Sequence, residues 1–181
     1  MAARGKAGKA GKAPKTFTVR PVAYVRAPFK EIADDCWGDS TSEIILDKSR
    51  FSAKSFKGMG EYSHVMVIFL LDRISEKKVV MGSRHPRGRK DWPETGIFAL
   101  RSKDRPNRIA VTVCKVVSVR GTTLRVRELD ALDGTPVLDI KPYLEEFGPR
   151  GGKVRQPKWT RELMGGYFQK LKPAPRRKSP R

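Results

Sequence analysis

The segment from Gly96 to Ala110, GIFALRSKDRPNRIA, carries the side chains best suited to bind a negatively charged group. Two apolar runs flank a connection that holds three arginines and one lysine. Pro106 fixes its own backbone φ and favours an extended Arg105, which gives the connection a defined shape. Guanidinium groups bind carboxylates and phosphates through paired hydrogen bonds. The segment therefore predicts an anion-binding loop between two strands.

A second polar cluster lies in the segment LDALDGTPVLDIKPY, residues 129–143. Asp139, Lys141 and Tyr143 alternate, so they share one face if the strand continues, and that face is a candidate lining for a substrate pocket. Asp133 or Asp139 is a candidate proton acceptor, hence a candidate catalytic residue. Two plainer interpretations remain open: a turn capped by Asp133, and a structural ion pair between Asp139 and Lys141.

Metal chemistry finds no support in the sequence. The two histidines and two cysteines, His64, His85, Cys36 and Cys114, are scattered along the chain without the spacing of zinc ligands. No Ser-His-Asp arrangement is indicated either. We expect a protein that binds no metal.

Positive charge dominates the composition, with 39 Lys and Arg against 19 Asp and Glu and a net charge of +20. Such an excess favours a polyanionic partner when the charges are clustered. The internal segments Arg84–Lys90 and Gly148–Arg161, with Trp92 and Trp159 as stacking groups, are the expected RNA surface. For the basic terminal tails, solubility alone is the simpler explanation.

The elements that must position these side chains are mostly short strands joined by hairpins and irregular loops. The apolar patterns predict strands over Thr16–Arg26, Glu43–Asp47, Tyr62–Asp72, Gly96–Leu100, Ile109–Val119, Leu124–Leu129 and Val137–Ile140, and a helix over Thr160–Leu171 with Thr160 as its N-cap. Strands without intervening amphipathic helices favour an antiparallel sheet that closes into a barrel.

The predicted fold class is all-β: a six-stranded, single-sheet antiparallel β-barrel with short peripheral helices and disordered basic tails. Residues 1–15 and 172–181 form the tails, 16–147 the barrel domain, and 148–171 a C-terminal loop and short helix. The longest apolar run, Val65–Leu71, is too short for a membrane helix, and the basic N-terminus lacks the apolar part of a secretory signal. We expect a cytoplasmic protein with no membrane partner.

Four segments resemble one known family. GIFALRSKDRPNRIAVT resembles the G-[VI]-F-A-x-R-S-x-x-R-P-N-P-I-G-x-[ST] motif of the TrmO (TsaA-like, YaeB-like) methyltransferases, and residues 129–143 resemble their L-D-x-[LV]-D-G-T-P-[VL]-[LV]-D-I-K-P-Y motif. Residues 26–31, RAPFKE, and 62–65, YSHV, resemble two shorter family motifs. The resemblance runs from about residue 19 to 147.

This resemblance implies a single-sheet barrel that binds S-adenosyl-L-methionine without a Rossmann domain. It further implies a homodimer and N6-methylation of threonylcarbamoyl-adenosine beside the anticodon of tRNA. By position, the family's cofactor contacts fall on Asp72, Arg73, Arg101, Val111, Arg127, Glu128, Leu129 and Asp130. We assign substrate binding to Arg105, Asn107, Lys141 and Tyr143.

Three departures from the family pattern bear on the substrate. The family's P-N-P-I-G is here PNRIA at 106–110, Cys36-Trp37-Gly38 stands where other members have P-R-Q-P-G-L, and Asp72-Arg73 stands where a His-Gln pair is expected. Two alternatives therefore stay open: a methyltransferase of this fold with a different acceptor, and a non-catalytic RNA-binding barrel.

Overall fold

A computed structural model describes residues 15–31, 33–38 and 40–170, so the expectations for the tails at 1–14 and 171–181 lie outside the described residues. Six strands form a closed antiparallel barrel in the order β1-β2-β7-β6-β3-β8. Their bounds are β1 Ala23–Arg26, β2 Thr41–Leu46, β3 His64–Leu70, β6 Ile109–Arg120, β7 Thr123–Arg127 and β8 Pro136–Pro142. The predicted six-stranded barrel is confirmed.

Alternation of side chains along the strands builds the barrel core. β2 and β3 bury every second residue, and Ile44, Phe69 and Leu124 are at most 1% exposed. Burial of one such side chain contributes about 1.5–3 kcal/mol. β3 reads as continuously apolar in sequence because its outward residues, including Met66 and Ile68, are also half-buried.

The β6–β7 hairpin is the most local part of the barrel. Arg120 pairs with Thr123, so Gly121 and Thr122 form a two-residue turn. Gly121 has φ +57°, a conformation that glycine adopts without steric cost. The predicted hairpin is confirmed.

The prediction of a strand over Gly96–Leu100 is wrong beyond its first residue. Strand β5, Thr95–Gly96, pairs with β4, Ser83–Arg84, in a separate two-stranded sheet, and Ile97–Ala99 form a 3₁₀ helix. Ile97 and Leu100 are both buried, and a three-residue period brings them to the same side, which a strand cannot do.

Two other predicted bounds are corrected. Only Ala23–Arg26 of the predicted strand from Thr16 forms β1, because it pairs along four residues of β2 and Pro21 cannot donate to a ladder. The helix α1 spans Lys158–Met164 with Pro157 at its N-cap, so it begins two residues before Thr160 and ends before Gly165.

Among the described residues, no helix has the length and apolar character needed to cross a bilayer.

Candidate active site

A cavity of about 700 Å³ lies beside the end of β3 and the beginning of β6. Small-molecule sites typically enclose about 300–1,000 Å³. Its walls come from residues 33–37, from the loops that carry residues 84–87 and 98–105, from residues 130–135, and from α1 with the residues that follow it. The cavity is therefore built mostly from loops and strand ends.

Six of the predicted site residues meet in this cavity. They lie on three separate parts of the chain but share the cavity lining: Asp72, Arg73, Arg101, Arg105, Val111 and Asp130. Eight others are not part of the lining: Asn107, Arg127, Glu128, Leu129, Asp133, Asp139, Lys141 and Tyr143.

Backbone carbonyls hold two arginines of the cavity, Arg73 and Arg101. Nη2 of Arg101 donates to the Val111 carbonyl at 2.7 Å, and Arg73 donates to the carbonyls of Lys30 and Asp133, the latter at 2.6 Å. Neither guanidinium makes an ion pair with a described residue. Both guanidiniums therefore keep further N–H donors that a ligand anion could use.

Asp130 is the carboxylate with the most defined position in the cavity. Its Oδ1 accepts a hydrogen bond from the Thr112 hydroxyl and its Oδ2 accepts one from the Tyr167 hydroxyl. The neighbours Leu129 and Ala131 are buried at 0% and 2% exposure and anchor the backbone on either side. Two donors and a fixed backbone thus orient this carboxylate.

Both predicted proton acceptors are engaged with other protein groups. Asp133 accepts from the Ala27 N–H at 3.1 Å, so its carboxylate ties the turn before β8 to the backbone just after β1. Asp139 accepts from the Ile140 N–H at 2.9 Å and makes an ion pair with Lys141 at 2.6 Å. The ion pair between Asp139 and Lys141 is the contact that the plainer interpretation named, whereas Asp133 bonds to the distant Ala27 N–H and not to its own turn.

The remaining predicted residues lie within or next to the barrel strands. Leu129 belongs to the core, so a ligand would meet its backbone and not its side chain. Glu128 has φ +67° and donates its N–H to the Ser40 carbonyl. Arg127 lies opposite Thr41 of β2 and Lys115 of β6 in the sheet. The N–H of Tyr143 donates to the His64 carbonyl.

Arg108 gives the anion-binding loop a conformation that proline cannot adopt. Its φ is +52°, whereas the ring of a proline fixes φ near −65°. Its Nη1 donates to the Ile74 carbonyl at 2.8 Å, and its Nη2 lies 3.4 Å from Glu76 Oε1. The loop from 101 to 108 therefore differs locally from one that carries the family's proline.

Ion pairs tie the loops of the cavity rim together. Arg87 pairs with Asp35 at 2.7 Å, and Lys103 pairs with Asp34 at 2.7 Å. The Lys103 ammonium holds the pKa of Asp34 below its usual value, and hydrogen bonding to Asp35 raises the pKa of Arg87. Segment 33–38 is thereby fastened to two loops.

Trp37 forms a buried part of the cavity wall. It is 4% exposed, and its indole N–H has no hydrogen-bond partner among the described residues. An unpaired buried donor costs about 1–3 kcal/mol. A ligand acceptor reached by a small shift of this ring would remove that cost.

Sequence reasoning missed several residues of the cavity. Thr112, Trp37, Met164 and Tyr167 were not singled out as site residues, although each lines the cavity or bonds to its carboxylate. Trp37 stands in one of the departures from the family pattern, which is the one signal that could have indicated it.

The described residues contain no cluster of three or more His, Cys, Asp or Glu side chains arranged to hold a metal ion, and both cysteines are free. The fold and the site together define a closed antiparallel β-barrel with a cavity that presents arginines, oriented carboxylates and apolar walls. This is the donor set for a zwitterionic ligand that also has an apolar part.

The chain belongs to the TrmO family, because the model of the tRNA-methyltransferase O N-terminal domain matches residues 28–148. A probable S-adenosyl-L-methionine-binding protein of Methanothermobacter thermautotrophicus is 36% identical over 137 residues, which cover 74% of this chain and 94% of that protein. A similarly described protein of Pyrococcus abyssi is 34% identical over 140 residues, which cover 76% of this chain and 73% of that protein.

Two further comparisons connect the chain to named enzymes. A tRNA (adenine(37)-N6)-methyltransferase of Mus musculus is 37% identical over 93 residues, or 51% of this chain and 21% of that enzyme. The crystal structure of TrmO from Pseudomonas aeruginosa superimposes with a TM-score of 0.62 at 27% identity, covering 78% of this chain. The chain spans 62% of that protein's length.

Proposed function

We propose that this member of the TrmO family, an S-adenosyl-L-methionine-dependent methyltransferase, methylates N6 of threonylcarbamoyl-adenosine next to the anticodon of tRNA. One observation carries the proposal: Arg101, Asp130 and Val111, predicted as cofactor contacts, line a single cavity of suitable size. The acceptor is inferred from the family motifs and from the tRNA methyltransferases among the relatives.

The donor set of the cavity fits the cofactor. A methionyl carboxylate needs an arginine such as Arg101, and its ammonium and ribose hydroxyls need carboxylates such as Asp72 and Asp130. Apolar side chains including Leu100 and Val111 supply walls for the adenine. The ring of Trp37 adds an aromatic surface to the same lining.

When bound, the cofactor supplies a sulfonium methyl group for in-line transfer to an acceptor nitrogen. The protein's contribution is mainly positioning, since such a transfer needs the nitrogen about 3–3.5 Å from the methyl carbon. Arg101 would bind the methionyl carboxylate, Asp130 would bind the ammonium or the ribose hydroxyls, and Arg105 at the same cavity is the proposed contact for the acceptor. Asp133 and Asp139 stay the predicted acceptors of the proton that leaves the nitrogen, and both lie outside the cavity lining.

Transfer of tritium from labelled S-adenosyl-L-methionine to tRNA tests the acceptor. We expect incorporation into tRNA that carries the threonylcarbamoyl modification and none into the same tRNA without it. Incorporation into both, or into another RNA only, would favour the alternative of a different acceptor.

The second candidate function is a non-catalytic RNA-binding barrel. It draws on five exposed cations that make no ion pair with a described residue: Arg150, Lys153, Arg155, Lys158 and Arg161. This function predicts RNA binding without methyl transfer and without cofactor binding in calorimetry. In contrast, three arginines of the other predicted RNA segment, Arg84, Arg87 and Arg89, pair with carboxylates.

A homodimer in the cytoplasm is part of the proposal. The outer face of β3 and β6 presents apolar pairs, with Met66 beside Val113 and Ile68 beside Val111. Val113 is 39% exposed, and Val111 also lines the cavity, so a second copy on this face would lie next to the site. Light scattering should give twice the chain mass, and Val113→Lys should give the monomer.

A further inference from the structure

The residues after the family match form one wall of the cavity. The match ends at residue 148, yet Leu163, Met164 and Tyr167 line the cavity together with residues of the barrel. We call residues 158–168 the C-terminal strap. It consists of α1 and the turn that follows it.

Backbone and side-chain contacts fasten the C-terminal strap at both ends. The N–H of Trp37 donates to the Tyr167 carbonyl at 2.8 Å, and that of Cys36 donates to Gly166 at 3.2 Å. At the other end, the indole N–H of Trp92 donates to Glu162 at 3.2 Å. These contacts give the strap a fixed position over the cavity.

The hydroxyl of Tyr167 donates a hydrogen bond to the carboxylate of Asp130. Burial and the negative charge of Asp130 raise the pKa of Tyr167, so the phenol stays protonated and remains a donor. A carboxylate offers about four lone-pair sites, and the hydrogen bonds from Thr112 and Tyr167 use two of them. The sites that remain are held in one orientation at the cavity.

We propose that Tyr167 is a positioning residue for cofactor binding: its hydroxyl orients the Asp130 carboxylate to accept hydrogen bonds from the hydroxyl or ammonium groups of S-adenosyl-L-methionine. This inference rests on the proposed function. It assigns a role in the cofactor site to the C-terminal strap, which lies outside the matched domain.

Removal of one oxygen atom tests the proposal. In the full chain, Tyr167→Phe should raise the Kd and the KM for S-adenosyl-L-methionine about 10-fold. The KM for tRNA and the unfolding temperature should stay the same, which separates positioning from a general loosening of the fold. Tyr62→Phe is the matched control, because Tyr62 is exposed at the opposite end of β3 and should leave every value unchanged.

A double-mutant cycle with Asp130→Asn identifies the route of the effect. If Tyr167 acts through Asp130, the Tyr167→Phe change should weaken binding much less in the Asp130→Asn background. Additive effects, or equal or tighter binding by Tyr167→Phe alone, would overturn the role of Tyr167. Failure of the wild-type protein to bind the cofactor would instead overturn the proposed function.

Discussion

At the scale of single residues, Arg101 is the clearest test of the cavity as a cofactor site. One of its N–H groups is committed to the Val111 carbonyl, which leaves other donors for a ligand carboxylate. Arg101→Ala should weaken S-adenosyl-L-methionine binding about 10- to 100-fold, the range of a charge-assisted hydrogen bond. Calorimetry measures the affinity of the variant for S-adenosyl-L-methionine. Arg125→Ala, on the outer surface of β7, is the control and should leave that affinity unchanged. Equal affinities for both variants would contradict the assignment.

Cys114 gives a second prediction at the residue scale. Its thiol has no solvent exposure, and burial, followed by the charge of Asp130, raises its pKa. The unfolded thiol ionises near pH 8.5, so between that pH and the raised value only the unfolded chain releases the proton. This contribution to stability is complete below pH 8.5 and is lost as the pH rises, by up to about 1.4 kcal/mol per pH unit.

Cys114→Ala should therefore reduce the alkaline loss of stability, even though it lowers the stability at pH 7 by removing a packed sulfur. Urea unfolding at pH 7, 9 and 10 measures the difference. The same slope against pH in both proteins would rule out this thiol as the cause. Thiol reagents should also leave Cys114 unmodified until the protein unfolds.

Residues of the site were predictable from sequence where a local motif contains them. Arg101 lies in the predicted anion-binding loop, and Asp130 lies in the segment that resembles the second family motif; both line the cavity. Tyr167 was not predictable, because its contact with Asp130 joins positions 37 residues apart and no local pattern encodes it. The unpaired N–H of Trp37 likewise follows only from the packing around it.

At the scale of elements, the spacing of apolar residues predicted the strands that pair over many residues and that bury one face while exposing the other. The β6–β7 hairpin follows from alternation and from Gly121, both of which are local signals. The 3₁₀ helix at Ile97–Ala99 was mistaken for a strand, because a five-residue apolar run fits either period. The burial of this run depends on the pairing of β5 with β4 in the small two-stranded sheet. That pairing joins distant parts of the chain, so a local sequence pattern does not encode it.

The pairing of the C-terminal strap with segment 33–38 gives the prediction for an element. A Cβ atom on Gly38 would lie 1.9 Å from the Phe168 carbonyl oxygen, so Gly38→Ala must displace the strap. We expect at least about a 10-fold loss of cofactor affinity, as one oriented hydrogen bond on Asp130 is lost. Trypsin should also cleave faster after Arg161 in α1.

Gly82→Ala is the matched control for this change, because an added Cβ there meets no atom within 4 Å. Both variants should keep the barrel intact by circular dichroism. Unchanged cleavage and unchanged affinity in Gly38→Ala would show that the strap does not depend on this close approach.

At the scale of the whole molecule, the net charge of +20 is useful to an RNA partner only where the cations are not already paired. The rim arginines Arg84 and Arg87 serve to hold loops together. The exposed cations between residues 148 and 161 make no such pairs with described residues, and they lead directly into α1 beside the cavity. The charge therefore divides into a structural part and a part open to phosphates.

Neutralising Arg150, Lys153 and Arg155 together should weaken tRNA binding and lower its dependence on salt. Each lost phosphate contact reduces the slope of log K against log salt by about 0.7–0.9, so the triple variant should lose about 2 to 3 from that slope. The matched control neutralises Lys48, Lys54 and Lys57, which are equally exposed but lie near the hairpin end of the barrel, away from the cavity. Because both variants change the net charge by the same amount, filter binding at several salt concentrations separates a local RNA surface from a general charge effect. Equal losses in the two variants would mean that tRNA responds to the total charge alone.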